Sequence, residues 1–254
     1  MIFTLGQNTG FYCSPNKVLD RFIPDRCSRR DLAGEIAERL KKSDKHFLAY
    51  LPSEVDISDE ALRTALGWEM GGNRKQTFQK RYMDVIQEWA RSLDDRLSGW
   101  WFDGCYDQHP WMRTEDWDNS RFDYPLWVKA ARSGNSDALV TFNNGVGSFL
   151  PICAQQDYTA GEMNELTHLP SEPITFYMQW HALTFLDCFW IHAEKPGEIA
   201  PPRFSDDELF TYVRKCRING GAVTLNVGIY EDGTMSETTV EQLRRLSVFL
   251  SKEP

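Results

Sequence analysis

Apolar runs and amphipathic stretches alternate along this chain from one end to the other. Met1–Leu5 is a short apolar run of strand type, and it gives way to a turn-rich loop from Gly6 through Asn16. Leu32, Ile36 and Leu40 then recur at helical spacing, behind a Ser28–Asp31 segment with the look of a capping box. His46–Leu51 reads as a strand that stops at Pro52. A polar, irregular stretch follows. The longest helical pattern, Arg74–Leu93, places Tyr82, Ile86, Trp89 and Leu93 on one face. Gly99–Phe102 is almost continuously apolar, as expected of a strand covered on both sides. Helix Phe122–Arg132 and strands Ala138–Phe142, Ile152–Tyr158 and Ile174–Trp180 come next. A capping box, Ser205–Glu208, opens helix Leu209–Arg217; strand Ala222–Val227 and helix Thr239–Leu250 close the series.

Strands that alternate with helices pair in parallel. About seven strands suit either a doubly wound sheet or a (β/α)8 barrel with one strand unrecognised. No Gly-x-Gly-x-x-Gly or Walker-type loop follows any strand, which removes the main support for a nucleotide-binding sheet. The pattern therefore predicts an α/β, TIM-barrel-like fold. No internal repeat, linker or low-complexity tract interrupts it, so residues 1–254 read as one domain.

Composition narrows the partners. A formal charge of −9, with Lys and Arg interspersed among Asp and Glu, speaks against nucleic acid and anionic membrane surfaces. No apolar run approaches the ~20 residues of a membrane span. The six cysteines are scattered without a C-x-x-C pair, which suits reduced core thiols better than a disulfide scaffold or a zinc site. The N-terminus lacks signal-peptide architecture, which implies a cytoplasmic protein if Met1 is the true start. Aromatic residues make up 13% of the chain, enough to fill a core and still offer flat faces to a sugar ring.

In a barrel, chemistry sits just beyond the C-terminal ends of the strands. There the pattern places Gln7-Asn8, Asp103-Gly104, Asn143-Asn144 and the stretch from Asp157 to Glu162. Two carboxylates at the mouths of such strands are what glycoside hydrolysis requires: one attacks or activates water, the other protonates the leaving oxygen. Asp103 follows an apolar strand and two tryptophans directly. By itself it reads more readily as an Asx-type cap of the strand end than as a catalytic group. Glu162 by itself reads as a solvated loop carboxylate.

Ser98-Gly99-Trp100-Trp101-Phe102-Asp103-Gly104 resembles the nucleophile strand of the α-L-fucosidases of glycoside hydrolase family 29, with its W-x-D-G segment. Arg30-Asp31-Leu32 and Phe47–Leu51 resemble that family's R-D-L helix and L-Y-Y-S strand. Gly220–Gly228 through Asp232-Gly233-Thr234 resembles its closing G-G-x-x-L-L-N-x-G … D-G segment. The resemblance implies a retaining exo-glycosidase that needs no metal or organic cofactor and takes a carbohydrate substrate. It implies Asp103 as nucleophile and Glu162 as acid/base, with Asp157 as the rival for the second role and Glu165 a third candidate. Tyr50, Trp101, Trp180 and His181 fall at positions implied to contact the sugar.

Gln7 and Asn8 stand where the family carries two histidines, and Asn143 or Asn144 where it often carries an arginine; Gln7, Asn8 and Asn143 complete the set of expected substrate contacts. The family's first strand, ending near H-W-G, has no counterpart, so the expected barrel lacks that strand. An open barrel edge would in turn favour homo-oligomers. The alternative reading is a catalytically silent barrel remnant that binds sugar or serves a structural role.

Overall fold

The computed structural model describes residues 1–7, 9–55, 58–68, 76–106, 122–190 and 197–252. It is an α/β structure whose chain divides into two compact units, one formed by Met1–Gly145 with Leu150–Tyr158, the other by Val146–Phe149 with Thr159–Pro254.

The first unit holds a four-stranded parallel sheet in the order β1 (Ile2–Thr4), β2 (Phe47–Pro52), β3 (Leu97–Asp103), β4 (Leu139–Phe142). Helices α1 (Lys17–Phe22), α2 (Leu32–Lys42), α3 (Glu60–Leu66), α4 (Gln76–Leu93) and α5 (Tyr124–Ala131) intervene in the chain. Alternation assigns the faces of the sheet. Phe47, Ala49 and Leu51 of β2, Trp100 and Phe102 of β3, and Val140 and Phe142 of β4 are buried in one core with Phe78, Tyr82, Ile86 and Trp89 of α4 and Trp127 of α5. Phe102 stacks on Phe142 at 5.3 Å and meets the edge of Trp127 at 5.7 Å. The intervening residues Tyr50, Trp101, Asp103 and Thr141 therefore face the other way.

A bulge fixes that parity. Phe47 pairs with Leu97 but Leu48 pairs with Gly99, so Ser98 is an extra residue in β3. Leu97 points into the helix-covered core before the bulge, and Trp100 does so after it.

In the second unit β7 (His181–Phe185) pairs in parallel with β8 (Ala222–Asn226). Trp180 and Ala182 pack with Met163 and with Tyr212 and Cys216 of α6 (Asp206–Ile218), and Leu246 of α7 (Glu237–Ser251) joins a neighbouring cluster with Leu186, Phe204 and Leu209. The segment 159–163 runs beside β7 without forming a regular strand. Leu183 N donates to Gly161 O at 2.8 Å and Met163 N to Leu183 O at 2.9 Å.

Several sequence expectations need correction. Ile152–Tyr158 is not a strand but a series of bends, held by the Gln156 side chain against Thr141 Oγ1 and Phe142 O. Ile174–Trp180 is a tight hairpin, β5 (Ile174–Thr175) against β6 (Met178–Gln179), reversed at Phe176 with φ +56°. The buried parallel strand starts one residue beyond it, at His181. Helix α3 lies where the pattern shows only a polar, irregular stretch, and α1 where it assigns no element. Asp31, not Ser28, caps α2, accepting from Gly34 N at 3.0 Å. Ser205 and Glu208 do form the expected box at the head of α6.

Candidate active site at the ends of β2, β3 and β4

Asp103 ends β3, half-buried, on the face that the helices leave uncovered. Its Oδ1 accepts from three donors: Tyr106 Oη at 2.5 Å, Asn143 Nδ2 at 2.8 Å and Gly104 N at 2.9 Å. Its Oδ2 accepts from Tyr50 Oη at 2.5 Å. All four donors are neutral. Four donors aimed at its two oxygens orient the carboxylate.

Each partner arrives by the logic of the sheet. Tyr50 pairs in register with Trp101 across β2 and β3, and their rings stack at 5.4 Å and 17°. Asn143 follows β4, buried, with its carbonyl accepting from Cys105 N at 2.9 Å and its Oδ1 from Gly145 N at 3.1 Å. The Tyr50 hydroxyl also lies 2.9 Å from the Gln7 amide. A phenol has one proton, and the carboxylate takes it. The Gln7 amide oxygen lies on the other side of the same hydroxyl as a second acceptor.

Gly104 has φ +86°, which an L side chain adopts only with strain, and a Cβ there would meet the Glu54 carboxyl carbon at 3.0 Å. This is the physical content of the Asp-Gly pair. The Cys105 thiol behind it is fully buried, and burial pushes its pKa up, with the charges of Asp103 and Glu54 adding to that effect.

The other expected residues fall into distinct places. Asn8 lies outside the described residues. Glu162, half-buried in the second unit, bridges Leu183 in parallel and follows Gly161, whose φ is +63° and whose missing Cβ lets the segment approach His181 O. Met163 points into the helix-covered core, so Glu162 points away from it. Asp157, the rival for the acid/base role, accepts from Arg132 Nη2 at 2.6 Å and from Val140 N at 2.7 Å. That is the level of Trp100, three residues or about 10 Å below Asp103 along the sheet. Its charge is thus committed at the wrong end of the strands. Glu165 is exposed and paired with Arg203 at 2.8 Å.

Trp180 and His181, expected beside the sugar, are interior. Trp180 stacks on Phe149 at 5.4 Å within the second unit's core. His181 Nδ1 meets the Thr159 carbonyl at 2.9 Å, which can only accept, so Nδ1 carries the proton and Nε2 accepts from Thr224 Oγ1 at 2.8 Å. Burial lowers its pKa to about 4. Sequence reading missed Tyr106 and Glu54. For Tyr106 the available signal was a hydroxyl-bearing aromatic just past the Asp-Gly turn.

Among the described residues no helix is long and apolar enough to cross a membrane, and no three His, Cys, Asp or Glu side chains gather as a metal site.

Solved structures share this fold. The endo-fucoidan hydrolase MfFcnA4 from glycoside hydrolase family 107 matches with a TM-score of 0.76 at 14% identity, over 98% of this chain and 47% of that one. P5AFcnA, also an endo-fucoidan hydrolase of family 107, matches at 0.71 and 13% identity, over 98% and 79%. The alpha-L-fucosidase AlfC from Lactobacillus casei, in complex with its alpha-L-fucose product, matches at 0.66 and 16%, over 99% and 74%. At such identities the likeness is one of fold, and the fold is that of α/β glycoside hydrolases. Residues 6–253 match the family model for alpha-L-fucosidase, and the chain belongs to that family. It spans about half the length of MfFcnA4. Among curated proteins none matches it in sequence.

Proposed function

We propose that this chain is the catalytic domain, residues 1–254, of a retaining exo-glycosidase of α-L-fucosidase type, with Asp103 as nucleophile and Glu162 as acid/base. The observation that carries the reading is the Asp103 carboxylate at the end of β3, oriented by four neutral donors. Family membership supports it.

The two carboxylate oxygens are unequal. Oδ1 holds three donors and Oδ2 one, so Oδ2 is the oxygen with a lone pair to offer the anomeric carbon. Its attack breaks the glycosidic bond and forms a glycosyl ester, while Glu162 gives its proton to the leaving oxygen. Water then gives a proton to Glu162 and attacks the same carbon, which releases Asp103 and returns the sugar with its original configuration. The stack of Tyr50 on the buried Trp101 ring holds the Tyr50 hydroxyl against the Asp103 carboxylate, and Gln7 acts through Tyr50.

The test is kinetic. On an aryl α-L-fucoside, Asp103→Gly should lose turnover and keep its fold, and azide should restore activity with inverted product, because one displacement then replaces two. Glu162→Ala should slow substrates with poor leaving groups most, and azide there should give retained product. Full activity in Asp103→Gly would sink the glycosidase reading. Fucose binding without turnover in the unaltered chain would instead favour a silent, sugar-binding protein.

A further inference from the structure

Phe11 is 57% exposed, on the loop that leaves the end of β1. Tyr12, the next residue, is buried and pairs in parallel with Cys27, so strand alternation turns Phe11 outward beside Arg26. The Arg26 guanidinium lies 4.7 Å from the centre of the Phe11 ring and covers one face. Asp59 holds that guanidinium through two bonds, at 2.7 and 3.1 Å. Gly10 lets the loop lie against this pair. Its φ is +71°, and a Cβ there would come 2.6 Å from Leu62 Cδ2 and 3.3 Å from Asp59 Oδ2. The backbone is clamped as well, since Tyr12 N donates to Arg26 O and Ser28 N to Tyr12 O. Among the described residues no second ring or cation stacks on Phe11. The loop is also tied to the site. The position a Gly6 Cβ would take is 2.8 Å from the Phe11 carbonyl oxygen. Gln7 follows, accepting from the Tyr50 hydroxyl, which lies 2.5 Å from Asp103 Oδ2. Covalent geometry then keeps Phe11 Cα within about 21 Å of Asp103 Oδ2, the reach of a short oligosaccharide.

We propose that Phe11 is the platform for a pyranose ring of the leaving group, so that the Asp103 site prefers fucosylated oligosaccharides to fucosides with no sugar beyond the scissile bond. This rests on Asp103 being the group that meets the terminal sugar. Isolated apolar side chains are ordinary on protein surfaces; what singles out Phe11 is a ring already fixed on the rim of the site. A pyranose carries C–H groups on its flat faces and hydroxyls round its edge. It can therefore cover the open face of Phe11 and leave its hydroxyls in water. Because Arg26 and the clamped backbone hold the ring beforehand, little freedom is lost on binding. Covering that face strengthens binding by about tenfold.

Hydrolysis of an α-L-fucosylated trisaccharide and of α-L-fucosyl fluoride, which has no leaving-group ring, tests this on the whole chain. Phe11→Ala should lower the ratio of their kcat/KM values, trisaccharide over fluoride, by about tenfold, and Phe11→Trp should keep it. An unchanged ratio in Phe11→Ala would overturn the proposal, as would an equal fall in Phe11→Trp. Binding gives a second reading that needs no turnover. Asp103→Gly should bind the trisaccharide at least about tenfold more tightly than L-fucose, and adding Phe11→Ala should remove that advantage. Equal affinity for the two sugars before Phe11 is altered would overturn the proposal. These results leave the Asp103 reading intact, because azide rescue of Asp103→Gly decides that separately. Failure of the rescue, with the Phe11-dependent binding difference still present, would sink the Asp103 reading alone.

Discussion

Tyr50 donates to Asp103 from a ring that is itself stacked on Trp101, so its hydroxyl is held in place by packing as well as by hydrogen bonding. A bond of this kind to a charged group contributes about 1.5–3 kcal/mol. Tyr50→Phe should therefore lower kcat/KM by about ten- to a hundredfold while the thermal midpoint hardly moves. An equal fall in stability would show the hydroxyl to be structural. His181 gives the opposite kind of expectation, one about folding. Its folded pKa, about 4, lies below the ordinary ~6.5 of a free histidine. Between those values the unfolded chain binds a proton that the folded chain refuses, so stability rises with pH across this window and falls as the solution is acidified through it. From pH 7 to pH 5 the loss attributable to this one ring is about 2 kcal/mol. Urea midpoints at the two pH values check it, and His181→Asn should flatten the difference.

At the scale of elements, caps and bulges carry information that hydrophobic period does not. Ser205 and Glu208 satisfy each other's backbone N–H groups at the head of α6. Ser205→Ala should cost about 1 kcal/mol in a denaturant melt. At the head of α2 the capping oxygen belongs to Asp31, so Asp31→Ala should cost about the same and Ser28→Ala clearly less. The Ser98 bulge has larger consequences. Strands alternate with period two, and an extra residue reverses which face every later side chain takes. Without it, Asp103 and Trp101 would point into the helix-covered core, and Trp100 and Phe102 toward the site. Asp187 shows another such device, a buried carboxylate that joins three elements by accepting from Cys188 N, Gly228 N and Thr239 Oγ1.

For the whole molecule, the chain passes from one compact unit to the other after Gly145, returns at Leu150, and crosses again after Tyr158. Units threaded in this way share their connections, and neither is a continuous segment. We expect them to unfold together, in a single urea transition that coincides by circular dichroism and by tryptophan fluorescence. Two separated transitions would show independently folding halves. The strand order also leaves β1 at the margin of its sheet, next to β2 alone among the described strands. Margins of this kind invite pairing with another chain, and size-exclusion chromatography over a range of concentrations reports it.

The sequence by itself determined the alternation of elements, the parallel pairing of the main strands and the nucleophile candidate. Each of these is local: a run such as Gly99–Phe102 is apolar because both faces of its strand are covered, and a W-x-D-G segment is contiguous in the chain. Most of the wall around Asp103 was legible for the same reason, since Tyr50 and Asn143 also lie at or just beyond strand ends. What only the tertiary structure decided depends on partners distant in sequence. His181 and Trp180 carry residue types suited to sugar contact, yet Thr159, Thr224 and Phe149 claim them for the interior. Asp157 looks as available as Glu162 until Arg132 and Val140 are seen to hold it at the far end of β4. Glu54 shows no strand-end signal of its own. Its place over Gly104 follows from the pairing of Pro52 with Asp103, a register set across fifty residues of chain. Hydrophobic period fixes which residues leave water, whereas the direction and partners of a polar side chain are fixed by strand register and bulges, which form only when the sheet does.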